Sequence, residues 1–380
     1  MLRAEVKPAL IRWASERSGL PLEALAERFP RLPAWLEGEA APTLKQLEHF
    51  ARVTHAPVGF FFLPEPPVER VPIPDFRTVA SAPLRRPSPD LLDTIYLCQQ
   101  RQEWFHDYAR VQGETKLLFV GAATLKSGVV ETAATMRKAL AFDLGARAQM
   151  GTWTEALRRF IEQADTLGVL VMVSGIVGSN TSRKLDPDEF RGFALSDELA
   201  PVVFVNGADT KAAQMFTLAH ELAHLWLGQS AVSDAGPVTD GVNASEVWCN
   251  AVAAEVLAPM AVFRAEYQKQ AELRAETDRL ARRFKVSTLV ILRRMHDAGG
   301  LSRAELERAY AIELKRLIAI QKAGGGNFYL TQGARLGKRF ARAVVVSALE
   351  GQTLHRDAFK LLGVSKLATF RDLGRQLGVV

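Results

Sequence analysis

The stretch with the clearest chemical content is His220-Glu221-Leu222-Ala223-His224. It lies in an apolar run that includes Phe216, Leu218, Ala219, Leu222, Ala223 and Leu225. On a helix, side chains four apart share a face, so both imidazoles can reach one ion. Glu221 sits one position off that face. There its carboxylate can take a proton from an attacking water and pass it to a leaving amine. Zinc takes nitrogen and oxygen ligands in tetrahedral geometry and acidifies water to a pKa of about 7. The plain alternative is two hydrogen-bonded histidines in a core helix. That alternative leaves Glu221 among apolar neighbours with nothing to neutralise it, which is costly.

A catalytic zinc needs a third protein ligand. Residues 245–259 read Ser-Glu-Val-Trp-Cys-Asn-Ala-Val-Ala-Ala-Glu-Val-Leu-Ala-Pro. As a helix, this segment puts Glu246, Asn250, Ala253 and Leu257 on one face. Glu255 lies about 180° away at about 100° per residue, so the two glutamates cannot both serve. Glu246 is the preferred ligand; its ordinary role would be a capping box with Asn243. Glu255 is the rival; its ordinary role would be a solvated charge or an ion pair. Cys249 is a softer candidate, although a free cysteine usually behaves as a small buried hydrophobe. Asn250 suits a donor that steadies a ligand or the helix pair.

The elements that must position these groups form an α+β pattern, mostly helical with a small sheet. Residues 168–173, 190–195 and 201–206 are short β-rich runs between turn residues. They predict a three-stranded, mostly antiparallel sheet. The third run leads into a helix over 210–227, and a second helix follows over 244–257. An edge strand beside the metal helix can accept an extended peptide. Val202, Phe204 and Asn206 on the third run are the candidates, and an ordinary core strand is the alternative. Further helices are expected over 90–112, 131–144 and 153–167, and the pattern after residue 260 is helical with a break at Gly324, Gly325 and Gly326.

At 380 residues the chain has room for two or three domains. Residues 7–63 read as short helices, with Thr43 a good N-cap. Helix, tight turn, short helix, loop, helix resembles the phage-repressor type of helix-turn-helix domain. The place of its groove-reading helix falls at 29–36, where Pro30 and Pro33 leave little regular helix. Prolines then cluster at 64, 66, 67, 72, 74, 83, 87 and 89, as an extended linker or a strap over the neighbouring domain. The division expected is 1–66 repressor-like, 67–90 linker, 91–260 metal domain with its leading helices, and 261–380 a basic helical domain.

The net charge of +6 hides an asymmetry. Residues 261–380 carry 23 Lys+Arg against 11 Asp+Glu. A basic segment on a balanced body suits nucleic-acid contact or a solvated surface. Two stretches concentrate it: 280–295, read as helix, turn, helix with Ser287 as N-cap, and 333–342, read as an amphipathic helix. The two cysteines, Cys98 and Cys249, are far apart and form no CxxC pair, which suits a reducing compartment. The first residues lack the apolar core of a signal peptide, and no apolar run is long enough to span a bilayer. A cytoplasmic location without membrane contact is expected.

The segments Gly192–Ser196, 201–206, 216–224 and 246–259 together resemble the ImmA/IrrE family of zinc metallopeptidases, over about residues 165–260. The resemblance implies a zincin-like pair of helices under the sheet, with Zn2+ as cofactor. It implies that His220 and His224 bind the metal, Glu221 is the general base and Glu246 the acidic third ligand. It further implies a cytoplasmic bacterial protein that cleaves, or otherwise relieves, a helix-turn-helix repressor. A repressor-like unit and Pro-rich connection are common in longer members, some of which sit beside toxin genes as antitoxins. Trp248-Cys249 before Asn250 departs from the Glu-Ala of many members. The rival reading is a metal-stabilised regulator or antitoxin. It would bind DNA, through the N-terminal unit or the basic C-terminal region, or a toxin, with little proteolysis.

Overall fold

The computed structural model describes residues 3–76, 86–233, 243–323 and 335–379. They fall into two compact units, one of residues 3–72 and 86–96, the other of residues 73–76 and 97–379.

The first unit holds α1 (Pro8–Arg17), α2 (Leu22–Arg28), α3 (Leu32–Leu36), α4 (Leu44–Val53) and a 3-10 turn at Val58–Phe62. Proline in the first turn starts α1 without losing a helical hydrogen bond. Thr43 and Gln46 close a reciprocal capping box on α4. Leu10, Trp13, Leu25, Leu32, Trp35, Leu47, Phe50 and Phe61 form the core. Helix α3, where a groove-reading helix would lie, has only five residues.

In the second unit α5 (Pro89–Val111), part of which is assigned to the first, precedes α6 (Val129–Ala139), α7 (Leu144–Gln149) and α8 (Trp153–Leu167). The single helix expected over 131–144 is broken. Ala141 adopts a left-handed φ of 48°, and Asp143 then caps α7 by accepting from the Ala146 N–H.

The sheet has four strands, one more than the sequence patterns predict. They are β1 (Leu170–Ser174), β2 (Gly192–Leu195), β3 (Val202–Asn206) and β4 (Ala231–Ser233), in the order β1-β3-β2-β4. β1 runs parallel to β3, and β2 is antiparallel to both β3 and β4. β3 is therefore an interior strand, which corrects the expectation of a peptide-accepting edge at Val202, Phe204 and Asn206. Both its edges are already hydrogen-bonded and all five residues are buried. Asn206 is committed as well, since its Nδ2 donates to the Phe190 carbonyl and its Oδ1 accepts from the Ala208 N–H. A continuous Val-Val-Phe-Val run fits such an enclosed strand.

Helices α9 (Lys211–Trp226) and α10 (Ala244–Leu257) follow, then α11 (Met260–Glu266), α12 (Leu273–Phe284), α13 (Thr288–Asp297) and α14 (Arg303–Ala323). The chain ends in α15 (Lys338–Leu349), α16 (His355–Leu362) and α17 (Leu367–Gln376). The glycine break at 324–326 lies outside the described residues. Among those described, no single helix is long and apolar enough to cross a membrane.

Much of the basic surplus is tied down internally. Ser287 caps α13 as expected, but Arg294 is buried and pairs with Glu255 Oε2 at 2.7 Å. The Arg293 guanidinium lies over the Tyr310 ring, 5.3 Å from its centroid. In the stretch 333–342, of which 333 and 334 lie outside the described residues, Lys338 pairs with Glu162 at 2.9 Å and Arg339 pairs with Glu114. Leu336, Phe340 and Val344 are buried, as the amphipathic pattern requires.

Candidate metal centre

Thr210 starts α9 by accepting a hydrogen bond from the Ala213 N–H. From Gln214 to Trp226 every residue of the helix is buried. The helix touches β2 and β3 on one side and α8 and α10 on others, which is why it is apolar nearly all round. His220, Glu221 and His224 are the ionisable exceptions in this buried stretch, and each is fully enclosed.

Asn243 caps α10 by accepting from the Ser245 N–H. Glu246 stands where a capping box would use it, but its carboxylate turns to the histidines instead. Oε1 lies 2.9 Å from His224 Nε2 and Oε2 lies 3.2 Å from His220 Nε2. The two Nε2 atoms are 3.1 Å apart. Ligand atoms held tetrahedrally about 2 Å from a zinc ion stand about 3.3 Å from one another. The three side chains thus converge on one point at close to that spacing, and the donor set of two imidazoles and a carboxylate is one that zinc takes.

The unmet polar atoms fit the same conclusion. Neither oxygen of Glu221 has a hydrogen-bond partner, and Nδ1 of both histidines is unpartnered too. So many orphaned atoms around one buried point are rare in folded proteins unless a further species satisfies some of them.

The electrostatics follow from burial and crowding. Burial pushes the Glu221 carboxyl up to about 8; Glu246 adds to the rise, while His220 and Ser233 oppose it. Burial also acts to raise Glu246, but its hydrogen bonds to the two histidines prevail and hold it at about 2. Burial acts to lower both histidines. Glu246 outweighs it at His220, which is raised, but not at His224, which is lowered. The site thus keeps a charged ligand carboxylate beside a carboxyl that readily holds a proton.

Asn250 approaches His220 and favours its protonated form, although its Oδ1 closes no hydrogen bond. Glu255 stands apart from the cluster. It accepts from the Met260 N–H at 3.1 Å and pairs with Arg294, which fixes the end of α10. Cys249 is buried, its thiol is pushed well up by burial, and it takes no place in the cluster.

Three neighbours of the site escape sequence reasoning. Ser233 ends β4 with its Oγ 3.3 Å from His224 Nε2 and 3.4 Å from Glu246 Oε1. The Phe76 ring stands 6.1 Å from the His224 ring. Gly192 starts β2 where a Cβ would stand 2.5 Å from Thr217 Cγ2 and 3.1 Å from Glu221 Oε1. A three-residue strand and a lone aromatic in a proline-rich segment carry no periodic signal. Gly192 is visible in sequence, but its bare approach to the helix is not.

Two parts of the chain match known domain families. Residues 164–296 match the IrrE N-terminal-like domain. The IrrE-like match runs from the end of α8 through the sheet and the metal helices to α13. It therefore extends beyond Pro259 and takes in the basic pair α12 and α13. Residues 336–376 match a domain of unknown function, DUF8813, which covers α15 to α17. No curated protein and no solved structure matches the chain. The IrrE-like domain and its His-Glu-His cluster support a metal-dependent peptidase class of activity.

Proposed function

We propose that the chain is a zinc-dependent endopeptidase that cleaves a helix-turn-helix repressor-like protein. The observation that carries this reading is the convergence of His220, His224 and Glu246 on one point, beside a fully buried Glu221 with no partner of its own. Zinc would be held by the two Nε2 atoms and the Glu246 carboxylate, and when bound it supplies Lewis acidity toward a peptide carbonyl and an acidified water.

The chain's own residues supply the rest. Glu221 receives the proton of the attacking water and returns it to the departing amine, so that the leaving group departs neutral. Glu246 stays ionised, as a carboxylate ligand must be. Asn250 steadies His220 from the same helix face. The apolar surroundings of α9 exclude bulk water and strengthen each of these interactions.

The substrate class rests on the IrrE-like domain and on the repressor resemblance of the N-terminal helices. The test is co-expression of the chain with the repressor-like protein encoded nearest its gene, followed by intact-mass spectrometry of that protein. Cleavage at one bond is expected, absent with His220→Ala. An intact repressor in both cultures would refute the proposal.

A further inference from the structure

The sheet has two outer edges, and they differ in their relation to the metal cluster. β1 lies three strand spacings from β4, about 14 Å away. β4 ends in Ser233, within 3.4 Å of His224 and Glu246. An extended peptide held for attack at the cluster therefore has one strand edge suited to it, the outer edge of β4. That edge is already covered by the chain itself.

The covering segment is Pro74 to Phe76. Val232 at the centre of β4 donates its N–H to the Pro74 carbonyl at 2.9 Å, and its carbonyl accepts from the Phe76 N–H at 3.0 Å. Asp75 is the bridge partner of Val232, in parallel orientation. The half-buried Phe76 side chain then reaches the metal cluster, with its ring 6.1 Å from that of His224 and tilted by 33°. One short segment thus satisfies the free backbone groups of the strand edge and occupies the space against a metal-binding histidine. These are the two features an extended peptide substrate would use.

Two backbone hydrogen bonds and the half-buried ring tie the segment to β4 and to His224. Pro72 and Pro74 have no N–H, so the segment offers few donors to lengthen the pairing.

We propose that Pro74–Phe76 blocks the peptide-binding edge of the site, and that a protein substrate gains access by displacing it. The substrate would offer an extended segment that pairs with Val232, with an aromatic or bulky apolar side chain in place of Phe76. This inference rests on the peptidase reading, so its test reads binding separately from turnover.

The probe is a fluorescein-labelled peptide copying residues 70–76, titrated by anisotropy against the full chain without metal. Phe76→Pro removes both the ring and the N–H that reaches Val232. It should bind the peptide at least tenfold more tightly than the natural chain. Phe76→Ala, which keeps the N–H, should gain less. In the same Phe76→Pro variant, hydrogen exchange at the Val232 amide should accelerate at least tenfold, because Pro74 no longer covers it. Equal peptide affinity in all three chains, with unchanged exchange at Val232, would overturn the proposal. Turnover of the repressor by the zinc-loaded chains is measured in parallel. A gain in binding without cleavage by any chain supports the blocked edge and refutes the peptidase. Cleavage without a gain in binding does the reverse.

Discussion

Gly192 and Glu221 meet where β2 runs against α9, and a Cβ on the glycine would stand 3.1 Å from Glu221 Oε1. The same Cβ would lie 2.8 Å from the Phe204 carbonyl oxygen, which belongs to the sheet and cannot swing aside. The seat of Glu221 therefore depends on a missing side chain in the neighbouring strand. Gly192→Ala should force β2 and α9 apart. Overpacking of this kind costs about 1–3 kcal/mol. Chemical denaturation of the metal-free chain would show the loss, and an unchanged midpoint would show that the contact relaxes freely.

The two glutamates of α10 should separate cleanly. Glu246→Gln removes a ligand charge and should weaken zinc retention by more than about 100-fold, beyond what outer partners of a metal site contribute. Glu255→Gln should keep zinc, since that carboxylate lies on Arg294 and the Met260 N–H. Its effect is on stability, because breaking a buried ion pair costs about 3 kcal/mol or more. Zinc titration and denaturant melts of both variants check this. Loss of zinc in Glu255→Gln alone would reverse the ligand assignment.

Asp165 supplies a pH prediction independent of the metal. Burial pushes its carboxyl up to about 6, although the Arg339 N–H donates to it and the neighbouring cations favour its charge. Its value in the unfolded chain is about 3.9. The folded state thus binds the proton more tightly, and stability falls as pH rises from about 4 through 6. The full penalty is present above that. Asp165→Asn keeps an acceptor for Arg339 and removes the titration. It should be more stable than the natural chain by about 1–2 kcal/mol at pH 8, with the gain fading at pH 4. A gain independent of pH would exclude this origin.

How much of the site can be read from sequence depends on the range over which each signal acts. His220 and His224 are four residues apart on one helix, and helical geometry alone brings them together. That Glu246 and Glu255 cannot both serve follows from the same rotation of about 100° per residue, applied to a second helix; which of them turns to the histidines is visible only in the structure. Strand order is different in kind. Nothing local in Val202–Asn206 says that β1 and β2 will pair with both its edges, so its interior position becomes visible only in the assembled sheet. β4 has three residues, too few for alternation to register, and the pairing of Pro74–Phe76 joins segments more than 150 residues apart. Charge misleads for a related reason. The 23 basic residues after position 260 can be counted in sequence, but the burial of Arg294 against Glu255 cannot.

The central claim is that Glu221 performs chemistry beside a metal it does not hold. The measurement that tests it most directly is zinc content and repressor cleavage on one preparation of the Glu221→Gln variant. The variant should hold about one zinc per chain, as the natural chain should, with cleavage slowed by about 100- to 10,000-fold, the usual contribution of a positioned acid–base group. Cleavage at the natural rate by a zinc-loaded Glu221→Gln chain would contradict it.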